Sequence, residues 1–205
     1  MLYLTGVSNP KVRPHLDAGR LGLLNTPAVC YAIREGWTWA ADSGLFNEAT
    51  YVGDDAYLAW LDRQPHKAAC LFATAPDVVG DAIASLTRST PFLGPIRALG
   101  YPVALVTQDG MTPDMVPWDA VDVLFIGGSN AHKLGPEART LIAAAQAKRK
   151  RVHVGRVNSW RRFSAFAALG CDTADGTFLA FSPDVNLPAV LSWVERHRTQ
   201  LTLAI

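Results

Sequence analysis

Cysteine is scarce and unpaired in this chain. Cys30, Cys70 and Cys171 stand far apart and form no CxxC. That argues against a disulfide framework and a thiolate zinc site, and fits a reducing cytoplasm. No run reaches the roughly 18 consecutive apolar residues that a membrane span needs. The opening MLYLTGVSNPKVRP lacks a basic segment ahead of its apolar run, so it reads as a first strand and not a signal peptide. The five histidines show no HExxH spacing, and the chain has no GxGxxG, no GK[ST] phosphate loop and no GxSxG elbow. Dinucleotide binding, triphosphate hydrolysis, zinc proteolysis and serine hydrolysis lose their usual signatures together. No cofactor and no metal are expected.

Excess charge is also missing. With a net charge of +1 over 205 residues, the whole molecule is no polyelectrolyte binder. Locally the balance breaks. Lys148, Arg149, Lys150, Arg151, Arg156, Arg161 and Arg162 fall in one stretch without an acidic residue. Such a stretch either tracks phosphates or is a solvated helix end followed by a loop.

What the chain does have is a repeated alternation. Apolar runs end in polar or glycine-containing turns at roughly thirty-residue spacing: 2–6, 38–44, 69–77, 102–110, 121–129, 151–159 and 171–181. Their continuous apolar character suits strands buried on both faces, as in parallel sheets. Helical periodicity or alanine richness marks 54–62, 78–86, 136–148, 159–169 and 187–198, with Ser159 a good cap and Pro136 well placed in a first turn. The size suits one domain spanning residues 1–205. Polar residues close almost every strand: Asp42, Asp77, Gln108, Gly127 and Gly128, Asn158, Asp175. That distribution favours a (β/α)8 barrel over a doubly wound sheet. Because such barrels usually take about 250 residues, a compact version with a reduced or irregular element is expected.

Several of these positions carry chemistry. Asp42, before Ser43 and Gly44, is a general base, a nucleophile, or the cap of its own turn. Asp77 faces the same choice, with the helix expected from residue 78 as the structure to cap. Gln108 and the Gly127–Gly128 backbone suit reading the edge of a planar heterocycle, or simply making turns. Asp172 and Asp175 lie three apart before Gly176. Asp42 and Asp175, if brought together, would make an acid/base and nucleophile pair for glycosyl transfer.

In order, these strand ends resemble those of the tRNA-guanine transglycosylase superfamily. Asp42-Ser43-Gly44-Leu45-Phe46 resembles the family's Asp-Ser-Gly-Gly-Tyr, Val106-Thr107-Gln108-Asp109-Gly110 its Val-Gln-Gly, and Gly127-Gly128-Ser129 its Gly-Gly-Leu. Gly170-Cys171-Asp172-Thr173-Ala174-Asp175 resembles its Gly-x-Asp-x-x-Asp. The resemblance implies a (β/α)8 barrel with Asp175 as nucleophile and Asp42 handling protons. It places Asp77, Gln108, Gly127 and Gly128 on the base edge, and Phe46 against its face. The family's cysteine/histidine zinc subdomain has no counterpart here, which makes the chain most similar to the phage-type DNA 7-deazaguanine transglycosylases (DpdA-like). The implied partners are DNA and a free 7-deazaguanine base, with Arg156, Asn158, Arg161 and Arg162 toward the phosphates. The alternatives are a hydrolytic DNA glycosylase of the same fold and a non-catalytic nucleic-acid-binding barrel.

Overall fold

The computed structural model describes residues 1–203 except Ser8, with side chains through Thr199. Eight parallel strands close into one barrel in sequence order: β1 Leu2–Thr5, β2 Gly22–Asn25, β3 Trp39–Ala41, β4 Cys70–Thr74, β5 Val103–Thr107, β6 Val123–Ile126, β7 Arg151–Val154 and β8 Thr173–Asp175. β8 pairs with β1 through Leu2–Thr173, Tyr3–Ala174 and Leu4–Asp175, which closes the ring. Among the described residues there are eight α-helices: α1 Arg13–Asp17, α2 Asp54–Arg63, α3 Ala82–Ala98, α4 Asn130–Leu134, α5 Pro136–Ala147, α6 Trp160–Ala168, α7 Phe178–Phe181 and α8 Pro183–Leu203. This is a (β/α)8 barrel.

Alternation along the strands builds two cores, because successive side chains point to opposite faces of a sheet. Tyr3, Leu23, Trp39, Ala73, Leu105, Leu124, Val152 and Ala174 face outward into the layer shared with the helices. Leu4, Ala40, Phe72, Ala104, Val106, Val123 and Phe125 fill the barrel interior. Small residues on β3 and β5 leave room for the Phe72 and Phe125 rings, which meet edge-on with centroids 6.1 Å apart.

The reduction expected from the short chain lies in the helical layer. Residues 26–38, between β2 and β3, hold no helix, and β5 is followed only by 3-10 turns at Pro113–Met115 and Trp118–Ala120. The strand that sequence reading omits is β2. Its four residues are too few to show a pattern, and they become a strand by pairing with β1 and β3. Gly22 is needed there, since a Cβ would run into the Leu4 side chain.

Two expected boundaries move. The helix expected at 78–86 begins at Ala82 and runs to Ala98 through Pro91 and Pro95. Burial of Leu93 and Ile96 outweighs the backbone hydrogen bonds those prolines remove. The strand expected over 171–181 stops at Asp175, and Phe178–Phe181 turns helical. Ser159 caps α6 by accepting from the Arg162 N–H at 3.3 Å, and Pro136 opens α5, both as expected. No described helix is long and apolar enough to cross a membrane.

Candidate active site

The inward-facing parity continues past the strand ends. Ala40 on β3 leads to Asp42, Phe72 on β4 to Thr74, and Val106 on β5 to Gln108. Phe125 on β6 leads to Gly127, and His153 on β7 to Gly155. Thr26 follows Leu24, and Asp175 ends β8. These residues form the mouth of the barrel at the C-terminal ends of its strands, where barrel enzymes place their chemistry. Together they line a cavity of about 370 Å³, within the usual range for small-ligand sites. Glycine at 127 and 155 opens it. A Cβ at Gly127 would sit 2.7 Å from Val106 Cγ1, and one at Gly155 2.7 Å from Phe125 Cε2.

Asp42, Phe46, Asp77, Gln108, Gly127, Gly128, Arg156 and Asp175 all line this cavity. Asp42 is half-buried, and its Oδ1 accepts the Gly44 N–H at 2.7 Å. Burial pushes its carboxyl up to about 7; the Gly44 bond opposes the rise, and the charges of Asp175 and Asp77 add to it. A carboxyl near neutrality both gives and takes a proton, as general acid/base work requires. Asp77 is buried, and burial raises its carboxyl while the Gln108 amide, donating to Oδ2, holds it back. Gln108 in turn accepts the Gly80 N–H at 2.9 Å, so the pair is fixed as a unit. Asp77 does not cap α3. That falls to Asp81, which accepts from the Ala84 N–H at 2.9 Å.

Asp175 is half-buried and held at both oxygens. His153 Nε2 lies 2.9 Å from Oδ2, and the Arg156 N–H donates to Oδ1 at 3.1 Å. Asp172, three residues earlier, lies outside the cavity at the other end of β8. There its carboxylate accepts the Val152 N–H at 2.7 Å.

The basic stretch divides. Lys148, Arg149, Lys150 and Arg151 precede or open β7, whereas Arg156, Arg161 and Arg162 follow it. The strand puts the two groups at opposite ends of the barrel, so they make no continuous stripe. Arg151 reaches across to the Leu71 carbonyl at 2.7 Å. Arg156 lines the cavity. Its backbone is left-handed (φ 58°), one guanidinium N–H donates to the Gly128 carbonyl at 2.6 Å, and the guanidinium lies 4.9 Å from the Phe46 ring centre. Phe46 is 65% exposed with Arg156 over its ring. Asn158, Arg161 and Arg162 do not line the cavity. Asn158 accepts the Phe178 N–H at 3.1 Å and donates to Thr177 at 3.2 Å, tying β7's loop to α7. Arg161 is exposed on the first turn of α6, and Arg162 beside it contacts the Arg156 carbonyl at 3.5 Å.

Two residues escape the sequence reading. Lys133 on α4 is 4% exposed, lines the cavity and donates to the Gly155 carbonyl at 3.2 Å. Burial, with Arg156 adding, lowers its ammonium to about 8. A lysine in a short helix after a Gly-Gly turn has no spacing that marks it. His153 is fully buried inside the barrel, and the alternation in RVHV is the signal that would have turned it inward.

No protein-family model and no curated protein matches the chain. Among solved structures, the 3-hexulose-6-phosphate synthase of Salmonella typhimurium is similar over 96% of this chain and 99% of its own, at 16% identity and a TM-score of 0.57. A tryptophan synthase structure from M. tuberculosis is similar over 89% of this chain at 15% identity and a TM-score of 0.50. The chain spans 62% of that synthase chain. At these identities the likeness is one of architecture: the chain has the (β/α)8 barrel fold.

Proposed function

We propose that this barrel is a base-exchange transglycosylase that replaces guanine in DNA with a free 7-deazaguanine, through a covalent aspartyl-glycosyl intermediate. The observation that carries the reading is the meeting of Asp42 and Asp175 in one cavity, the first with a carboxyl near 7 and the second held between the His153 ring and the Arg156 N–H.

The target nucleotide leaves the stack at a cost of a few kcal/mol. An Asp175 oxygen attacks C1′; the C1′–N9 bond breaks, its electron pair goes to the base, and Asp42 as the acid supplies the proton. In the return half, Asp42 as the carboxylate takes the N9 proton of the incoming base. N9 then attacks C1′, and the sugar–Asp175 ester bond breaks. Asp77 accepts from the guanine N–H edge. The Gly127–Gly128 backbone and the remaining Gln108 N–H serve the carbonyl edge, and the exposed Phe46 face receives the ring.

The test is incubation with DNA and labelled guanine, together with a denaturing gel for protein–DNA adduct. Label in the polymer and an adduct lost in Asp175→Asn support the reading. An abasic site in place of a new base makes the enzyme a hydrolytic glycosylase, and DNA binding with neither product leaves a non-catalytic barrel.

A further inference from the structure

Beneath the cavity floor lies a polar chain that the reaction as described does not use. His153 sits in the barrel interior with its ring 4.3 Å from that of Phe125 and 4.9 Å from that of Phe72, centre to centre. Both nitrogens are engaged: Nδ1 lies 2.7 Å from the Thr173 hydroxyl and Nε2 2.9 Å from Asp175 Oδ2. All three residues project inward from neighbouring strands, since His153 pairs with Thr173 in the β7–β8 ladder and Asp175 is two residues on.

The two contacts fix each other. A carboxylate only accepts, so Nε2 must carry the hydrogen. A neutral imidazole then has a bare Nδ1, and the Thr173 hydroxyl, which can donate, points its hydrogen there. An imidazolium in this place would need the hydroxyl of Thr173, a buried residue, to accept instead.

We propose that His153 is the positioning residue of Asp175: Thr173 holds the imidazole in its neutral Nε2–H form, and that N–H locks the carboxylate in the orientation from which it attacks. The backbone N–H of Arg156 supplies the second clamp, so each Asp175 oxygen has one donor and keeps lone pairs for reaction. His153 takes no proton in the cycle, because both its nitrogens are occupied and it is walled from the cavity. Proton transfer stays with Asp42. The attacking role assigned to Asp175 rests on the transglycosylase reading, whereas the tautomer does not.

The experiment has two arms. Nitrogen-15 NMR of histidine-labelled protein, without DNA, reads the tautomer; the expected result is a neutral ring protonated at Nε2 at neutral pH. Its shifts should move in Thr173→Val and in Asp175→Asn. An imidazolium or an Nδ1–H form overturns the proposal. The second arm measures single-turnover adduct formation on DNA. His153→Leu should slow it by about a hundredfold, as expected for a misplaced reacting group, with the Kd for DNA unchanged. His153→Gln, whose amide reaches the Nε2 position, should recover most of that loss. Equal loss in both variants, or none in either, overturns the positioning role. If the NMR result holds while wild-type protein forms no adduct, the transglycosylase reading fails and the held tautomer stands.

Discussion

Asp42 and Lys133 are carried in charge states that their surroundings disfavour, and that sets a measurable balance between stability and use. Folding raises the Asp42 carboxyl from 3.8 to about 7. Across that window the folded protein keeps a proton that the unfolded chain has released, so this group's contribution to stability falls as pH rises. Asp42→Asn is therefore expected to stabilise the fold. The gain should be near zero at pH 4 and reach about 1–3 kcal/mol at pH 8, the full shift being reduced because the carboxyl opens on a cavity. Urea unfolding at both pH values checks it, and a gain that is the same at both would refute the assigned cause. Lys133 has the opposite sign. Its ammonium falls from 10.5 to about 8, so stability associated with it rises with pH between those values. Lys133→Met should raise the urea midpoint at pH 7, with the advantage shrinking toward pH 10. Residues that lower stability where they stand are expected at functional sites.

At the scale of elements, legibility followed length and turn chemistry. β4, β5 and β6 each carry four apolar residues and are followed within three residues by Asp77, Gln108 or Gly127, so both strand and exit were visible. β2, with GLLN, was not. It is made by its neighbours and held from beyond by Asn25, whose amide donates to the Tyr31 carbonyl at 3.0 Å and accepts its N–H at 2.8 Å. That pair of hydrogen bonds closes the loop bringing Thr26, Ala28 and Val29 to the cavity. Asn25→Ala should cost about 1–3 kcal/mol by leaving the half-buried Tyr31 backbone groups unpaired. It should also loosen this loop, read as faster amide exchange at residues 26–31 with little change on β5 and β6. The candidate site was legible to the extent that strand-end polarity advertises it. Asp42, Asp77, Gln108 and Asp175 converge because a closed barrel turns every strand exit toward one mouth. Lys133 and His153 were hidden for different reasons: one lies on a helix after the turn, and the other is a polar residue in an interior that apolar patterning fills by default.

Over the whole molecule, a charge run read along the chain became two patches because β7 passes through it. Four residues of strand carry the chain about 13 Å, from Arg151 at one end of the barrel to Gly155 at the other. Only the second patch, Arg161 and Arg162 on the first turn of α6, adjoins the loops around the cavity. A polymer whose nucleotide enters that cavity meets these arginines and not Lys148 or Lys150. The double change Arg161→Ala/Arg162→Ala should therefore weaken DNA binding to similar degrees on all sequences. It should also flatten the dependence of log Kd on log salt by up to about two phosphate contacts' worth. Lys148→Ala/Lys150→Ala removes the same formal charge from the far end, and should leave affinity and slope near wild type. Gel-shift titrations across salt, with thermal unfolding to verify that both variants are folded, separate position from net charge. Equal weakening by the two pairs would mean that DNA responds to the overall field alone; loss only with the lysine pair would put the polymer on the opposite end of the barrel from Asp175. Since one strand separates two patches of equal sign, the comparison holds charge nearly constant while moving it across the molecule. It therefore tests the geometry of the proposed complex apart from its electrostatics.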